Sequence, residues 1–183
     1  MAHPFKHLRT INKHRHKVIA HCKKAGIFWQ GLRHDLSKYT PTEFLEGARN
    51  YKEGKRSPNE EARLKNGYSR AWMHHKGRNR HHFEFWTDTS PVTRRLEPVE
   101  MPVRFAAEMF CDRVAASKVY QGDKYTDASA LEYFNRGKDN RSMHPNTSAL
   151  LESWLKLLAE HGEDAAFTAV RAAVKSARKE KKK

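Results

Sequence analysis

The sequence predicts an all-α fold, a single helical domain of roughly seven helices over residues 1–170 with a basic tail over residues 171–183. Three observations lead to this prediction. Apolar residues recur at helical spacing, serine and threonine start signals precede the periodic segments, and no alternating strand pattern of useful length occurs. A chain of 183 residues is also long enough to bury a core without disulfide bonds.

The first predicted helix covers residues 10–25 and is poor in apolar residues but rich in histidine. His7, His14 and His21 recur at every seventh position, so a continuous helix would place them on nearly one face. Gly26 is expected to end this helix.

The next helices are marked by their start signals. A second helix is expected to begin at Ile27 and to carry His34 and Asp35. The string TPTE at residues 40–43 is a capping box with proline at the first helical position, and SPNE at residues 57–60 repeats the same device. Two such boxes close together predict helical segments in this region.

The middle of the chain contains a short helix, a loop and a long helix. Ser69 is placed to cap a short helix that ends near Gly77. Residues 87–101 hold two prolines and scattered charge, and they are predicted to form a loop. The longest apolar-periodic stretch begins at Pro102 and ends at Gly122.

The C-terminal part predicts further helices and a tail. One helix is expected around residues 128–135, and Thr147 is expected to cap another that ends at Gly162. The segment after Gly162 begins with an amphipathic pattern and ends in a lysine-rich stretch. We expect residues 175–183 to add nonspecific, salt-sensitive affinity for nucleic acid, or to act only as a solubilising tail.

Charge and histidine content narrow the function. The 36 Lys and Arg residues exceed the 21 Asp and Glu residues and give a net charge of +15, which favours phosphate-bearing partners such as nucleotides, nucleic acid or anionic membranes. Twelve histidines are not explained by such partners and indicate a metal or proton-transfer role. No apolar run could span a membrane, no secretory leader is evident, and two cysteines are too few for a disulfide framework. We therefore expect a cytoplasmic protein.

The pair His34-Asp35 is the first candidate site. A long imidazole beside a short carboxylate can converge with it on one ion. Lys38 lies one helical turn further on, where it would neutralise Asp35 or bind a phosphate oxygen of a substrate. The alternative is an exposed His-Asp dipeptide with a surface ion pair.

Two adjacent histidine pairs form the second candidate site. His74-His75 and His81-His82 are interleaved with tryptophan and phenylalanine, which predicts a folded, partly buried setting rather than an interaction tail. Buried imidazoles need polar partners, and a single metal ion can be the partner of several imidazole nitrogens at once. In each pair, one ring would bind the metal while the other packs or orients a ligand.

Asp112 is the third candidate. It lies in an apolar helical segment beside Phe110 and Cys111, where a carboxylate is costly unless a cation compensates it. The alternatives are an ion pair with Arg113, or exposure on a polar face together with Glu108.

Taken in order, these residues resemble the HD-domain metal-dependent phosphohydrolases, whose signature is a histidine, a His-Asp pair and a final aspartate, with extra histidines in members that hold two metals. The sequence is more closely similar to a subfamily of short bacterial and bacteriophage proteins of unknown function. The resemblance spans residues 10–165 and rests on the strings HDLSKY, GYSRAWMHHKGRNRHHFEFW, MPVRFAAEMFCDRVAASK and MHPNT. It implies an HD-like helical domain.

The resemblance also implies a set of metal ligands, made of histidines and aspartates. They are His14, His34, Asp35, His75, His81, His82 and Asp112. His16 and His21 are rivals of His14 for the first position. Imidazole and carboxylate groups suit one or two Mn, Fe, Co, Ni or Zn ions per chain better than magnesium alone.

The expected catalytic residues are Asp35 and Lys38. Asp35 would bridge two ions and help to generate a hydroxide that attacks phosphorus. Lys38, Lys76, Arg78 and Arg80 would hold the phosphate oxygens, the alternative for each being simple surface solvation.

The function expected from these residues is a metal-dependent phosphohydrolase that acts on a nucleotide or another small phosphoester. An HD-type di-iron oxygenase would use similar ligands, and a non-catalytic nucleic-acid-binding protein would hold a structural metal. The net charge favours the first and third functions over the second. The surplus of histidine and aspartate ligands disfavours the third, because structural zinc sites are usually closed by four ligands, often cysteines.

Overall fold

The computed structural model describes residues 2–52, 56–138 and 140–180 and is an all-α bundle, as predicted. The α-helices in these ranges are α1 (Pro4–Lys24), α2 (Phe28–Arg33), α3 (Pro41–Asn50), α4 (Pro58–Asn66), α5 (Arg70–Lys76), α6 (Val103–Gln121), α7 (Ser129–Arg136) and α8 (Pro145–Glu180). Short 3-10 helices cover Leu36–Tyr39, Phe83–Phe85 and Gly122–Lys124. Within the same ranges, no helix combines the length and apolarity that crossing a bilayer requires.

Helix α6 is the most deeply buried helix of the bundle. Every residue from 105 to 111 is buried, so this helix is covered on all sides, as a core helix must be. It packs against α1 and α8, where Val18, Phe110 and Leu155 are fully buried. Because α6 carries Asp112 and α1 carries the histidine face, this packing brings two of the predicted site segments together.

Helix α1 begins at Pro4, earlier than the predicted start near residue 10. Proline is favoured in the first helical turn, where its missing N–H is not needed, and Pro4 occupies that place. His7, His14 and His21 are all buried. The seven-residue spacing therefore does place the three rings on one face, which is directed towards the protein interior.

The predicted caps of α4 and α5 are confirmed, but that of α3 is wrong. The hydroxyls of Ser57 and Ser69 accept backbone N–H groups at the starts of α4 and α5. In the TPTE box, Thr40 donates its hydroxyl to the carbonyl of Ser37 at 2.7 Å instead of capping the helix. Glu43 turns away from the helix start and accepts hydrogen bonds from two histidines, because charge-assisted bonds outcompete those to a backbone amide.

The predicted cap of α8 is also wrong, because the helix begins at Pro145. Thr147 lies inside the helix, is buried, and accepts the backbone N–H of Met101 at 2.9 Å. The Nδ1 atom of His144 accepts the N–H of Asn146 at 3.2 Å and so satisfies a free donor at the helix start.

The predicted loop over residues 87–101 contains a small antiparallel hairpin. Strand β1 (Thr87–Thr89) pairs with strand β2 (Leu96–Pro98), with Asp88 opposite Glu97. Strands of three residues are too short to show the alternation that marks a strand in a sequence. The hairpin is mostly exposed and leaves the all-α architecture unchanged.

Helix α8 continues past the predicted domain boundary at residue 170. Gly162, the predicted stop, has φ 77° and breaks the helix, but a second helical segment follows and runs to Glu180. Val170 and Val174 in this segment are buried, and Arg178 donates a hydrogen bond to the carbonyl of Gly26 at 3.0 Å. The part of the predicted tail up to residue 180 is therefore helical, while residues 181–183 lie outside the described residues.

Candidate metal centre

The seven predicted ligands come together although five separate segments of the chain supply them. His14 comes from α1, and Asp112 comes from α6. His34 and Asp35 directly follow α2, and His75 lies near the end of α5. His81 and His82 precede the 3-10 helix Phe83–Phe85. Their nitrogen and oxygen atoms form two groups, in each of which all atoms lie within 4.8 Å of one another. The groups are His14, His34, Asp35 and Asp112, and Asp35, His75, His81 and His82.

Asp35 belongs to both groups, and its two carboxylate oxygens face different ones. Its Oδ2 atom lies 3.2 Å from Nε2 of His34 and 3.9 Å from Nε2 of His14. Its Oδ1 atom lies 3.2 Å from Nε2 of His75 and 3.5 Å from Nε2 of His81. A carboxylate in this position can bridge two cations, one bound on each side.

The backbone after α2 explains how Asp35 reaches the centre. The prediction that His34 and Asp35 lie on a helix is wrong, because α2 ends at Arg33 and His34 is extended with φ −55° and ψ 129°. Asp35 then adopts a left-handed conformation with φ 55° and ψ 23°, which aspartate tolerates better than most residues. Arg15 of α1 fixes this corner by donating hydrogen bonds to the carbonyls of Leu32 and His34.

Among the three rivals for the first histidine, the structure brings His14 to the cluster. Its Nε2 atom lies 2.9 Å from Oδ1 of Asp112, so α1 and α6 meet here through a hydrogen bond. His16 is exposed. His21 is buried two helical turns further along the same face of α1, where its Nδ1 donates to the carbonyl of Cys111 at 3.3 Å and its ring packs against Phe167.

The histidine pairs of the second candidate site behave differently from each other. In the first pair, His75 faces Asp35, while His74 donates to Glu43, which also binds His75. One ring therefore faces the cluster and the other supports its arrangement, as expected. In the second pair, ligand nitrogens of both His81 and His82 belong to the cluster. The second pair therefore differs from the expected arrangement, in which one ring would face the metal and the other would pack or orient a ligand, because both of its rings lie at the cluster.

Two buried carboxylates, Glu108 and Glu43, bind predicted ligand histidines through Nδ1, the ring nitrogen that faces away from Asp35. Glu108 accepts a hydrogen bond from Nδ1 of His34 at 2.9 Å and lies 3.3 Å from Nδ1 of His81. Glu43 accepts one from Nδ1 of His75 at 2.7 Å. Hydrogen bonds of this kind fix the ring orientation and direct the Nε2 lone pair towards a metal.

Sequence reasoning missed both of these residues. Glu108 was considered only as a companion of Asp112 on an exposed polar face, in one alternative, but it is only 5% exposed. It lies four positions before Asp112, and that spacing puts both carboxylates on one face of α6, a signal that could have found it. Glu43 carried no comparable signal, because its partners on α5 are distant in sequence.

Within the part of the chain that the structure describes, several inward-facing atoms of the cluster are buried without a hydrogen bond. They are Nε2 of His34, His81 and His82 and both carboxylate oxygens of Asp35, although Oδ2 of Asp35 has a close ion-pair contact with Nζ of Lys38. Unsatisfied buried polar atoms are costly, and native proteins keep them to a few. Divalent transition metals bind converging imidazole nitrogens and carboxylate oxygens. The residues of this cluster therefore fit such an ion.

The pKa values of these groups show where opposite charges outweigh burial. At His34, burial disfavours the charged form, but Asp35 and the other carboxylates raise its pKa well above the usual value. At Asp35, burial is overcome by His34 and Lys38, which hold its pKa well below the usual range. Burial prevails at His14 and His82 and lowers the pKa of both. The ionised carboxylates therefore attract positive charge to this place, either protons or metal.

Of the four predicted phosphate-binding residues, Lys38 alone contacts the cluster. Its Nζ atom lies 2.6 Å from Oδ2 of Asp35, and its side chain is 30% exposed. No hydrogen bond or ion pair within the described residues joins the other three to the cluster. Arg78 contacts the carbonyl of His74 at 3.5 Å, Arg80 lies over the rings of Phe85 and Phe105, and Lys76 is half-buried. The structure therefore does not bring Lys76, Arg78 and Arg80 together with the predicted ligands.

Comparison with known proteins identifies a family but no function. The model of a family of unknown function, DUF5662, matches residues 3–157. The matched segment contains both ligand groups and the two supporting glutamates. No curated protein and no solved structure matches the chain.

Proposed function

The chain belongs to the DUF5662 family of unknown function, and we propose that it is a metal-dependent phosphohydrolase acting on a nucleotide or another small phosphoester, related to the HD-domain enzymes. One observation carries this proposal. The two oxygens of Asp35 face two separate sets of imidazoles, as a carboxylate bridging two metal ions would. We keep a cytoplasmic location as a prediction from the sequence.

The two ligand groups would each hold one ion, with Asp35 shared between them. Nitrogen-rich groups of this kind suit manganese, iron, cobalt, nickel or zinc. Divalent ions bound there supply an activated water for attack on phosphorus and neutralise charge on the phosphoryl oxygens. Glu108 and Glu43 keep the histidine rings oriented with Nε2 directed inward.

Lys38 is the residue that we assign to the substrate phosphate. Its ammonium group lies next to the shared carboxylate, and part of its side chain is open to solvent. With cations held at Asp35, its negative charge would be compensated, and Lys38 would be available to bind a phosphoryl oxygen. The net charge of +15 supports a phosphorylated substrate over a neutral one, and so disfavours the oxygenase alternative.

The test of this function is phosphate release by chain purified without a histidine tag, stripped of metal and reloaded. We expect slow hydrolysis of nucleoside phosphates or a generic phosphoester with manganese, cobalt or nickel, and none with chelator. Asp35→Ala and Asp112→Ala should each remove it, because both carboxylates belong to the ligand groups. Asp123→Ala, at an exposed position just after α6, is the matched control.

Anaerobic and aerobic assays separate hydrolysis from oxygen chemistry. Hydrolysis should proceed equally with and without oxygen. Turnover that requires iron and oxygen, with no phosphate release under any metal, would overturn the assignment in favour of the oxygenase. Stoichiometric metal without turnover of any phosphoester would favour the nucleic-acid-binding alternative with a structural metal.

A further inference from the structure

Two aromatic side chains are exposed at the start of α2, just after the end of α1. Trp29 is 74% exposed and Phe28 is 38% exposed, and their rings are in edge contact with the centroids 5.6 Å apart. Tryptophan is highly buried on average, so this degree of exposure is unusual. An exposed indole ring offers a flat face on which another flat ring can stack.

Basic side chains of α8 lie against the same end of α1. Nη2 of Arg178 donates a hydrogen bond to the carbonyl of Gly26 at 3.0 Å, and a Cβ atom on Gly26 would lie 3.4 Å from Cγ of Arg171. Lys175 lies four positions after Arg171 and three before Arg178, so the three side chains follow one face of the helix. All three residues are exposed, and within the described ranges none of them forms an ion pair with a carboxylate.

The exposed tryptophan and the basic face of α8 meet at Gly26. Trp29 follows Gly26 by three residues, which limits the distance between their Cα atoms to about 11 Å. Sites for single-stranded nucleic acid extend over about 4 to 16 nucleotides, so one strand can reach both features.

Positive charge exceeds negative charge around this place. Lys24 of α1 and Lys118 of α6 both contact Glu163, and Nζ of Lys24 does so at 2.8 Å, so one carboxylate is shared by two ammonium groups. The remaining acidic residues of the helical segment after Gly162 lie near its two ends and are Asp164 and Glu180. Residues 17–33, which include the end of α1 and all of α2, contain no acidic residue. A surface of this charge attracts a polyanion.

We propose that the surface formed by Lys24, Trp29, Arg171, Lys175 and Arg178 binds single-stranded nucleic acid without sequence preference. The basic side chains contact the phosphates of the strand, and the ring of Trp29 stacks on a base. The affinity for nucleic acid expected of a basic tail is thereby assigned to a folded surface that α1, α2 and α8 build together.

A single strand fits this surface better than a membrane or a duplex does. A helix that binds a membrane inserts its apolar face, but Val170 and Val174 on the apolar face of this segment are buried in the protein core. The bases of a duplex are already stacked on one another, so a duplex has no use for the exposed ring. A single strand uses both the charge and the aromatic ring.

Fluorescence anisotropy with a labelled oligothymidylate of about 12 nucleotides tests the proposal. Titrations between about 50 and 200 mM salt give the affinity and its dependence on salt. Arg171→Ala and Lys175→Ala should each weaken binding and reduce the steepness of the log–log salt dependence by about 0.7, because each removes one phosphate contact from a single strand. Trp29→Ala should weaken binding about tenfold without changing the salt dependence, and Trp29→Phe should lose less.

Matched controls separate this surface from the overall charge of the chain. Phe5 is 87% exposed at the other end of α1, about 30 Å from Gly26, and Lys156 is exposed on α8 before the break at Gly162. Phe5→Ala and Lys156→Ala should bind the oligonucleotide as the wild type does. Losses in the controls as large as those in the surface variants would overturn the proposal, and so would the absence of any binding.

Two further arms identify the ligand. Trp29→Ala should not affect the binding of a duplex of the same length, and an equal loss on duplex and single strand would contradict base stacking. The chain should not sediment with vesicles of phosphatidylserine and phosphatidylcholine at the same salt. Sedimentation that Trp29→Ala abolishes, without oligonucleotide binding, would assign the surface to a membrane and overturn the proposal.

The proposal is independent of the hydrolase. Lys38→Ala, which we expect to lose turnover, should bind the oligonucleotide as the wild type does, because Lys38 is not part of this surface. Loss of binding in Lys38→Ala would place the strand at the metal centre and contradict the assignment. If the wild type releases no phosphate from any substrate, its oligonucleotide binding and the effects of the surface variants should still be observed.

Discussion

His34 donates its Nδ1 hydrogen to Oε1 of Glu108 across 2.9 Å, and this bond leaves Nε2 of the ring facing Asp35. The same carboxylate oxygen lies 3.3 Å from Nδ1 of His81. His34 belongs to one ligand group and His81 to the other, so one buried glutamate orients a ligand on each side of Asp35.

Glu108→Gln should therefore weaken binding of both ions. Supporting carboxylates of this kind contribute about 10- to 100-fold in metal affinity, because they fix the ring and increase its basicity. Competition with a coloured chelator measures the loss. Glu43→Gln should weaken only the ion bound by His75, and Glu132→Gln, at an exposed position of α7, should change nothing. Unchanged affinity in Glu108→Gln would show that the glutamate has no such role.

The metal content of the chain should be one or two transition-metal ions, and Asp35→Ala should reduce it close to zero. Asp35 contributes to both ligand groups, so its loss weakens both at once. Elemental analysis of protein made without a histidine tag gives the count. His16→Ala should retain the full content, because this histidine is exposed and outside the cluster. Equal, near-zero metal in wild type and Asp35→Ala would end the metal hypothesis.

Lys38→Ala should retain the metal and lose most turnover. Its ammonium group reaches Asp35 at 2.6 Å, but an ammonium group is not a metal ligand, so the ligand groups remain complete without it. Metal analysis and phosphate release on the same sample test the two halves of this prediction. Lys76→Ala, Arg78→Ala and Arg80→Ala should keep their turnover. Loss of metal in Lys38→Ala would mean that the lysine serves only to hold Asp35.

His21 should make the stability of the metal-free chain depend on pH. Burial lowers its pKa to about 4, below the unfolded value of about 6.5. Protons therefore bind more tightly to the unfolded chain, and stability that is present above pH 6.5 is lost as the pH falls towards 4. The contribution of this one residue is up to about 3 kcal/mol.

Urea unfolding between pH 7 and pH 4 measures this dependence. His21→Gln should show a flatter profile than the wild type, because the substituted side chain does not titrate. An identical profile in the two proteins would mean that His21 keeps an ordinary pKa.

The sequence predicted which residues come together better than it predicted their surroundings. Asp35 and Asp112 could be chosen because their chemistry is unusual for the segments that carry them, and such local anomalies are visible in one sequence. His14 was instead chosen over His16 and His21 from the resemblance to the HD-domain proteins. Their convergence then follows from the packing of α1 against α6. The resemblance to HD-domain proteins gave the order of the ligands, which no local pattern contains.

The parts that were not predicted depend on contacts between distant segments. Glu43 has the position of a capping residue, and only the packing of α3 against α5 shows that it binds His75 instead. Arg80 resembles a phosphate-binding residue, but its position over Phe105 is set by α6. Local sequence signals state what a residue can do, whereas the tertiary structure selects among its possible partners.

The left-handed backbone at Asp35 restricts which residues could replace it, and this restriction matters for design. Glycine and asparagine tolerate this conformation but lack the carboxylate, and glutamate has the carboxylate but fits the backbone less well. Position 35 therefore requires both a carboxylate and tolerance of the left-handed conformation, and aspartate meets both requirements. A designer who wants to alter the proposed metal site should therefore randomise the surrounding histidines and hold position 35 constant.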